Sequence, residues 1–209
     1  MHSERTTAAR NRARTELRIQ KAVEQLLVRQ GFPGLGINAI ARAARVDKVL
    51  IYRYFGDIEG LLRAVAGNRP LWPSHEDILK RVRLPAGSRN SGALTTARLA
   101  AIAEAELDLL TEDPLMLAVL AWSLSKSSPL TRAQLAARDR ERRMLFRNPA
   151  VGTRPQGRGA PKNGQSPAPY KTVADGLILE ILQARAARRA FPAPRARTIA
   201  KLIETMSGR

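Results

Sequence analysis

Apolar positions along the chain recur at spacings of three and four, the period of an α-helix. Ile19, Ala22, Val23, Leu26 and Leu27 make one stripe and predict a helix over 15–30 that stops at Gly31. Ile37, Ile40, Ala41 and Ala44 mark a face of a second helix. Val46, Val49, Tyr52 and Phe55, spaced by threes, mark a face of a third, with Ile51 as a further core contact. Ile58, Leu61, Leu62 and Val65 begin a fourth. Residues 36–55 therefore read as helix, tight turn and helix, the helix-turn-helix pattern.

Farther along, Leu99, Ile102, Ala103, Glu106, Leu109 and Leu110 stand in helical register over 95–110. Pro114 occupies an allowed first-turn position, and Leu115 to Leu124 are apolar all round, which marks a buried helix. A charged helix over 129–146 carries a thin stripe of Leu135, Met144 and Leu145. Two last helices, 172–190 and 195–206, carry stripes of Ala174, Leu177, Ile178, Ile181 and Leu182, and of Ile199, Leu202, Ile203 and Met206, with Pro192 and Pro194 between them. Pro85–Gly92 reads as a loop. Residues 147–169 are rich in Gly and Pro with four basic residues and no acidic one, and read as a disordered linker. Few runs alternate with period two, so the fold class is all-α.

Charge narrows the partner. The formal net charge is +18, a field that favours a polyanion. Residues 1–14 carry Arg5, Arg10, Arg12 and Arg14 and read as a flexible basic arm, either a plain tail or a segment that reaches DNA. With no cysteine, neither a disulfide nor a thiolate site can form. His2 and His75 lie far apart in sequence, so a metal centre or triad has almost no material, and no cofactor is expected. Glu104 and Asp108 share a helix face but have no nucleophile nearby in sequence, so a solvated face is the simpler reading than acid–base chemistry. An enzyme is not expected. The longest charge-free apolar stretch, 114–125, is too short to span a bilayer. No apolar core follows the basic N-terminus, so no secretory signal is expected and the cytoplasm is the default.

The stretch resembles the DNA-binding domain of the tetracycline-repressor (TetR) family of bacterial transcription regulators. The likeness rests on Ile40-Ala41, Ala44, Val46, Ile51-Tyr52-x-Tyr54-Phe55, Glu59 and Leu61-Leu62, with Gly31-Phe32 after the preceding helix. It covers about 14–65. The family usually has Gly where this chain has Arg45, Ser or Thr where it has Gly36, and Lys where it has Ile58.

The resemblance implies an N-terminal three-helix domain over 15–62, with its motif at about 36–55. It also implies a larger helical ligand-binding and dimerisation domain over 63–209. Base-facing positions would be Asn38, Lys48, Val49 and Leu50, with Tyr52, Arg53 and Tyr54 on phosphates. Tyr52 and Phe55 have core packing as the competing reading. The partners implied are double-stranded DNA, a second copy joined through about 172–206, and a small-molecule effector. Effector-pocket candidates are Ile102, Glu106, Met116 and Trp122, with core packing as the alternative for the last two. The function implied is a repressor released from a palindromic operator by its effector. The alternative is a sequence-indifferent, nucleoid-type DNA binder driven by charge.

Overall fold

A computed structural model of the chain describes residues 2–83, 95–148, 151, 167–186 and 196–206. The regular structure among them is helical: α1 (His2–Gln30), a 3-10 turn (Phe32–Gly34), α2 (Ile37–Ala44), α3 (Lys48–Phe55), α4 (Ile58–Asn68), α5 (His75–Arg81), α6 (Thr96–Glu112), α7 (Pro114–Ser123), α8 (Pro129–Arg147), α9 (Ala168–Ala186) and α10 (Ala196–Met206). The all-α expectation therefore holds among the described residues. The expected loop at 85–92, residues 152–166 of the expected linker and the prolines at 192 and 194 lie outside them.

The helices group into two compact units. The first comprises 1–71 with 114–135, and the second 72–113 with 136–209. The boundary expected after residue 62 falls inside α4, which belongs whole to the first unit.

The first unit is built on the stripes read from the sequence. Ile19, Val23 and Leu27 of α1, Ile40 of α2, Ile51 of α3, and Leu61 and Val65 of α4 are each at most 1% exposed. Leu115, Val119 and Trp122 of α7 and Leu130 of α8 belong to the same core. Gln20 of α1 accepts a hydrogen bond from Asn68 of α4, tying the two helices at their polar edge.

Two expectations need correction here. The first helix begins at His2, not at residue 15, so the supposed flexible arm is helical. Arg and Ala are good helix formers, and Arg12 pairs with Glu16 one turn on, Nε to Oε1 at 2.7 Å. The three-residue spacing of Val46, Val49, Tyr52 and Phe55 does not lie along one helix either. Val49 is 61% and Tyr52 51% exposed, while Ile51 is fully buried. Val46 precedes the N-cap Asp47, so that spacing runs through the turn and not along one helix.

The second unit packs α5, α9 and α10 around α6. α6 is buried on nearly all sides, with Ile102, Leu107 and Leu110 at 1% exposure or less. α9 starts at Ala168, one turn before the expected position, and Ala174, Leu177, Ile178, Ile181 and Leu182 are buried as a stripe. The stripe on α10 splits. Ile199 and Ile203 are buried, whereas Leu202 and Met206 stay exposed.

Candidate nucleic-acid interface

The turn between α2 and α3 is set by backbone chemistry. α2 starts from extended Gly36 with no side-chain cap. It ends at Arg45, which is left-handed with φ 52° and ψ 52°. Arg45 N donates to Arg42 O at 3.2 Å and Val46 N to Ala41 O at 3.0 Å. Those two bonds are the Schellman pattern, usually made with glycine at the left-handed position. α3 then opens on Asp47, whose carboxylate accepts from Val49 N at 2.8 Å. At the far end Gly56, with φ 78°, closes α3, and Asp57 caps α4 by accepting from Gly60 N at 2.6 Å. A Cβ on Gly60 would stand 2.0 Å from Phe55 O, so this second turn admits only glycine there.

This frame turns one face of α3 outward. Lys48, Val49, Tyr52 and Arg53 are exposed, Leu50 is partly so, and Asn38 is exposed on the first turn of α2. Phe55 packs partly buried against the core. Tyr54 is half-buried, edge-on to Phe55 with ring centroids 6.4 Å apart. The Arg12 guanidinium of α1 lies 5.1 Å from the Tyr54 ring centroid. Hydrogen bonding to Glu16, reinforced by its charge, raises the pKa of that guanidinium. A surface with this mixture can donate to base edges and phosphates and pack on a thymine methyl.

The four expected pocket residues divide between the units. Met116 and Trp122 are in the first, and Ile102 and Glu106 in the second. Trp122 stacks on Phe32. Glu106, wholly buried, accepts from Trp72 Nε1 (3.1 Å), Arg142 Nε (3.0 Å), Arg142 Nη2 (3.0 Å) and Tyr170 OH (2.8 Å). Arg142 Nη1 reaches Asp175 at 2.7 Å. Burial alone would disfavour the Arg142 charge, but Glu106, with Tyr170 and Asp175, more than offsets it and holds the pKa above the ordinary range. Burial first, and then the Glu106 charge, push the Tyr170 hydroxyl pKa well above its usual value. Sequence reading missed Trp72, Arg142 and Tyr170. Their partner Glu106 lies 34, 36 and 64 residues away, beyond any local spacing.

Residues 19–65 match the family model described as bacterial regulatory proteins, tetR family. No curated protein sequence matches the chain. Among solved structures, a TetR-like transcriptional regulator from Rhodococcus sp. RHA1 is 17% identical, with 93% of this chain and 97% of that one aligned and a TM-score of 0.54. NalD of Pseudomonas aeruginosa, the secondary repressor of the MexAB-OprM multidrug efflux pump, is 18% identical over 95% and 96% with a TM-score of 0.53. The regulator FadR of Bacillus subtilis, solved with stearoyl-CoA, is 15% identical over 90% and 96% with a TM-score of 0.53. At these identities the likeness is one of fold. Residues 19–65 thus match the model of the tetR family of bacterial regulatory proteins, and the chain shares its fold with solved transcriptional regulators.

Proposed function

We propose that the protein is a sequence-specific transcription regulator that binds a palindromic operator as a homodimer and leaves it when a small molecule binds its helical body. The observation that carries this reading is the outward face of α3, where Lys48, Val49, Tyr52 and Arg53 are exposed on a helix whose other side is anchored by Ile51. Lys48 and Asn38 would donate to base edges, and Val49 or Leu50 would meet a thymine methyl. Arg53, Tyr52 and Tyr54 would hold phosphates and fix register. One such head reads few base pairs, and two heads read half-sites one helical turn, or a multiple, apart.

Leu179 on α9 and Leu202 and Met206 on α10 are exposed apolar residues, and they support pairing of these helices with a second copy. Release by an effector requires the two states of the body to bind it unequally. No described helix is long and apolar enough to cross a membrane, and we place the regulator in the cytoplasm.

The test is competition binding with DNA from immediately upstream of the protein's own coding region against a scrambled duplex at physiological salt. A preference of about 10³ or more is expected. Equal affinity for both, across a genomic fragment library as well, would favour the charge-driven, sequence-indifferent reading that the +18 net charge supports.

A further inference from the structure

The net charge of +18 is not concentrated in the unit that holds α3. The first unit, 1–71 with 114–135, holds 15 lysines and arginines against 6 acids, and the second, 72–113 with 136–209, holds 21 against 12. Each is therefore +9, so half of the excess lies outside the unit that would read DNA. An arginine-rich composition alone would spread that half evenly through the second unit. Instead, residues 72–113 hold 5 basic and 7 acidic residues, and residues 136–209 hold 16 and 5.

In the part of α8 that belongs to the second unit, the arginines sort by side. Arg142 is buried on Glu106, and Leu145 is buried as well. Arg138, 20% exposed, reaches Asp139 at 3.3 Å and Asp175 at 3.8 Å. These inward residues fix the rotation of the helix. Arg140, Arg143, Met144 and Arg147 are all exposed, and at about 100° per residue they share an arc of roughly 100°. Asp139 and Glu141 fall outside that arc, one on each side. The Arg140 side chain is 64% exposed, and its contact with Glu141 is long at 3.4 Å. From Arg140 to Arg147 the face runs about 10 Å along the helix axis, close to three steps of a duplex strand at about 3.4 Å each.

We propose that this face of α8 is a second, sequence-indifferent DNA-contacting surface, in which Arg140, Arg143 and Arg147 contact the backbone phosphates of a duplex. Guanidinium forks match phosphate geometry, and a duplex presents one negative charge per about 1.7 Å of its axis. A membrane surface fits less well. A helix lying in a lipid interface needs a broad apolar face to insert, and Ala137 and Leu145 of α8 are already buried in the protein. The outward arc offers Met144, too little to insert. This goes beyond the reading of α3 and does not depend on it. The contacts add affinity and salt dependence for any duplex and carry no sequence information.

The experiment measures binding of the full chain to a random-sequence duplex of about 30 base pairs as salt is varied, since each phosphate contact contributes roughly 0.9 to the slope of log K against log salt. It is run in a Lys48→Ala, Arg53→Ala background, so that the readout does not rest on α3. Adding Arg140→Gln and Arg143→Gln is expected to lower the slope by about 2, and adding Arg147→Gln as well by about 3. A control that adds Lys80→Gln and Arg83→Gln removes two charges from other exposed positions of the second unit and is expected to keep the slope.

Arg143→Gln alone is expected to lower the slope by about 1, and decides the matter if the pair fails to fold by circular dichroism. Equal losses in the α8 variants and the control would reduce the effect to net charge and overturn the proposal, as would unchanged slopes or a background chain that binds no duplex. Vesicles of phosphatidylserine and phosphatidylcholine test the other polyanion. Vesicle binding that Arg140→Gln with Arg143→Gln abolishes, beside an unchanged DNA slope, would assign the face to a membrane and overturn the proposal too. Failure of the reading of α3 would show instead in the operator competition, with these slopes unmoved.

Discussion

Trp122 of α7 lies stacked on Phe32 of the turn after α1, with ring centroids 4.1 Å apart and planes 16° from parallel. The Lys126 ammonium sits 5.2 Å from the Phe32 ring centroid. Trp122 Nε1 is buried without a hydrogen-bond partner, so stacking and apolar packing hold the indole. Phe32→Ala should lower stability by about 2–4 kcal/mol, somewhat less than for a fully buried ring. Trp122→Phe keeps an aromatic on the stack and removes the orphan donor, so it should stay within about 1.5 kcal/mol of wild type. Urea unfolding of both variants checks this, and similar losses in the two would mean that stacking is not the main term.

The Glu106–Arg142 pair sets a different balance. Their side chains are 0% and 4% exposed. Removing one partner strands a buried charge, so Arg142→Met should cost about 3–5 kcal/mol. Replacing both, as Glu106→Leu with Arg142→Met, should recover part of that loss, because no charge is left unpaired. A double variant less stable than the single one would show that Trp72 and Tyr170 depend on the carboxylate more than the arginine does.

Tyr170 adds an alkaline limb. Its pKa in the folded state lies well above the ordinary 10.0. Above about pH 10 the unfolded chain gives up this proton while the folded one keeps it, so stability falls as pH rises. The drop in Tm from about pH 8 to pH 11 should be smaller in Tyr170→Phe, which cannot ionise. Equal drops in wild type and variant would remove Tyr170 from the alkaline response.

Arg45 is the non-glycine residue with positive φ among the described residues. Left-handed backbone costs a side-chain-bearing residue about 1–2 kcal/mol. Glycine returns about 0.5–1 kcal/mol through the entropy of the unfolded chain. Arg45→Gly should therefore raise the Tm by a few degrees. A fall would mean that the arginine side chain does more for the turn than the strain takes away.

Lys48 and Arg53 are both exposed on α3 but should act differently on DNA. Lys48→Ala should relax the preference for the operator by about 1–3 kcal/mol at one position of the site. Arg53→Ala should weaken operator and random duplex alike. Equal losses on both DNAs for both variants would contradict that division.

Much of this head was legible beforehand. Ile40, Ala41 and Ala44, or Leu61, Leu62 and Val65, face the core as their spacing predicts, because each set lies within one uninterrupted helix. The face of α3 was misjudged where the spacing crossed the cap at Asp47. The helical start of α1 was hidden because its support is electrostatic: Arg12, Glu16 and Tyr54 leave no apolar stripe. Glu106 stood in register with apolar neighbours, which marked it as inward-facing. Its partners come from α8, α9 and the segment before α5, and only the folded chain brings them together.

The core shared by residues 1–71 and 114–135 has a consequence for synthesis. The ribosome delivers α2 and α3 well before Leu115, Val119, Trp122 and Leu130, which complete the core shared with them. At about 5–20 residues per second the nascent head waits several seconds with part of its apolar surface uncovered. A gene cut after residue 71 would extend that wait indefinitely. Maturation of this first unit is thus timed by the translation of a segment that lies some sixty residues beyond α3 in the chain.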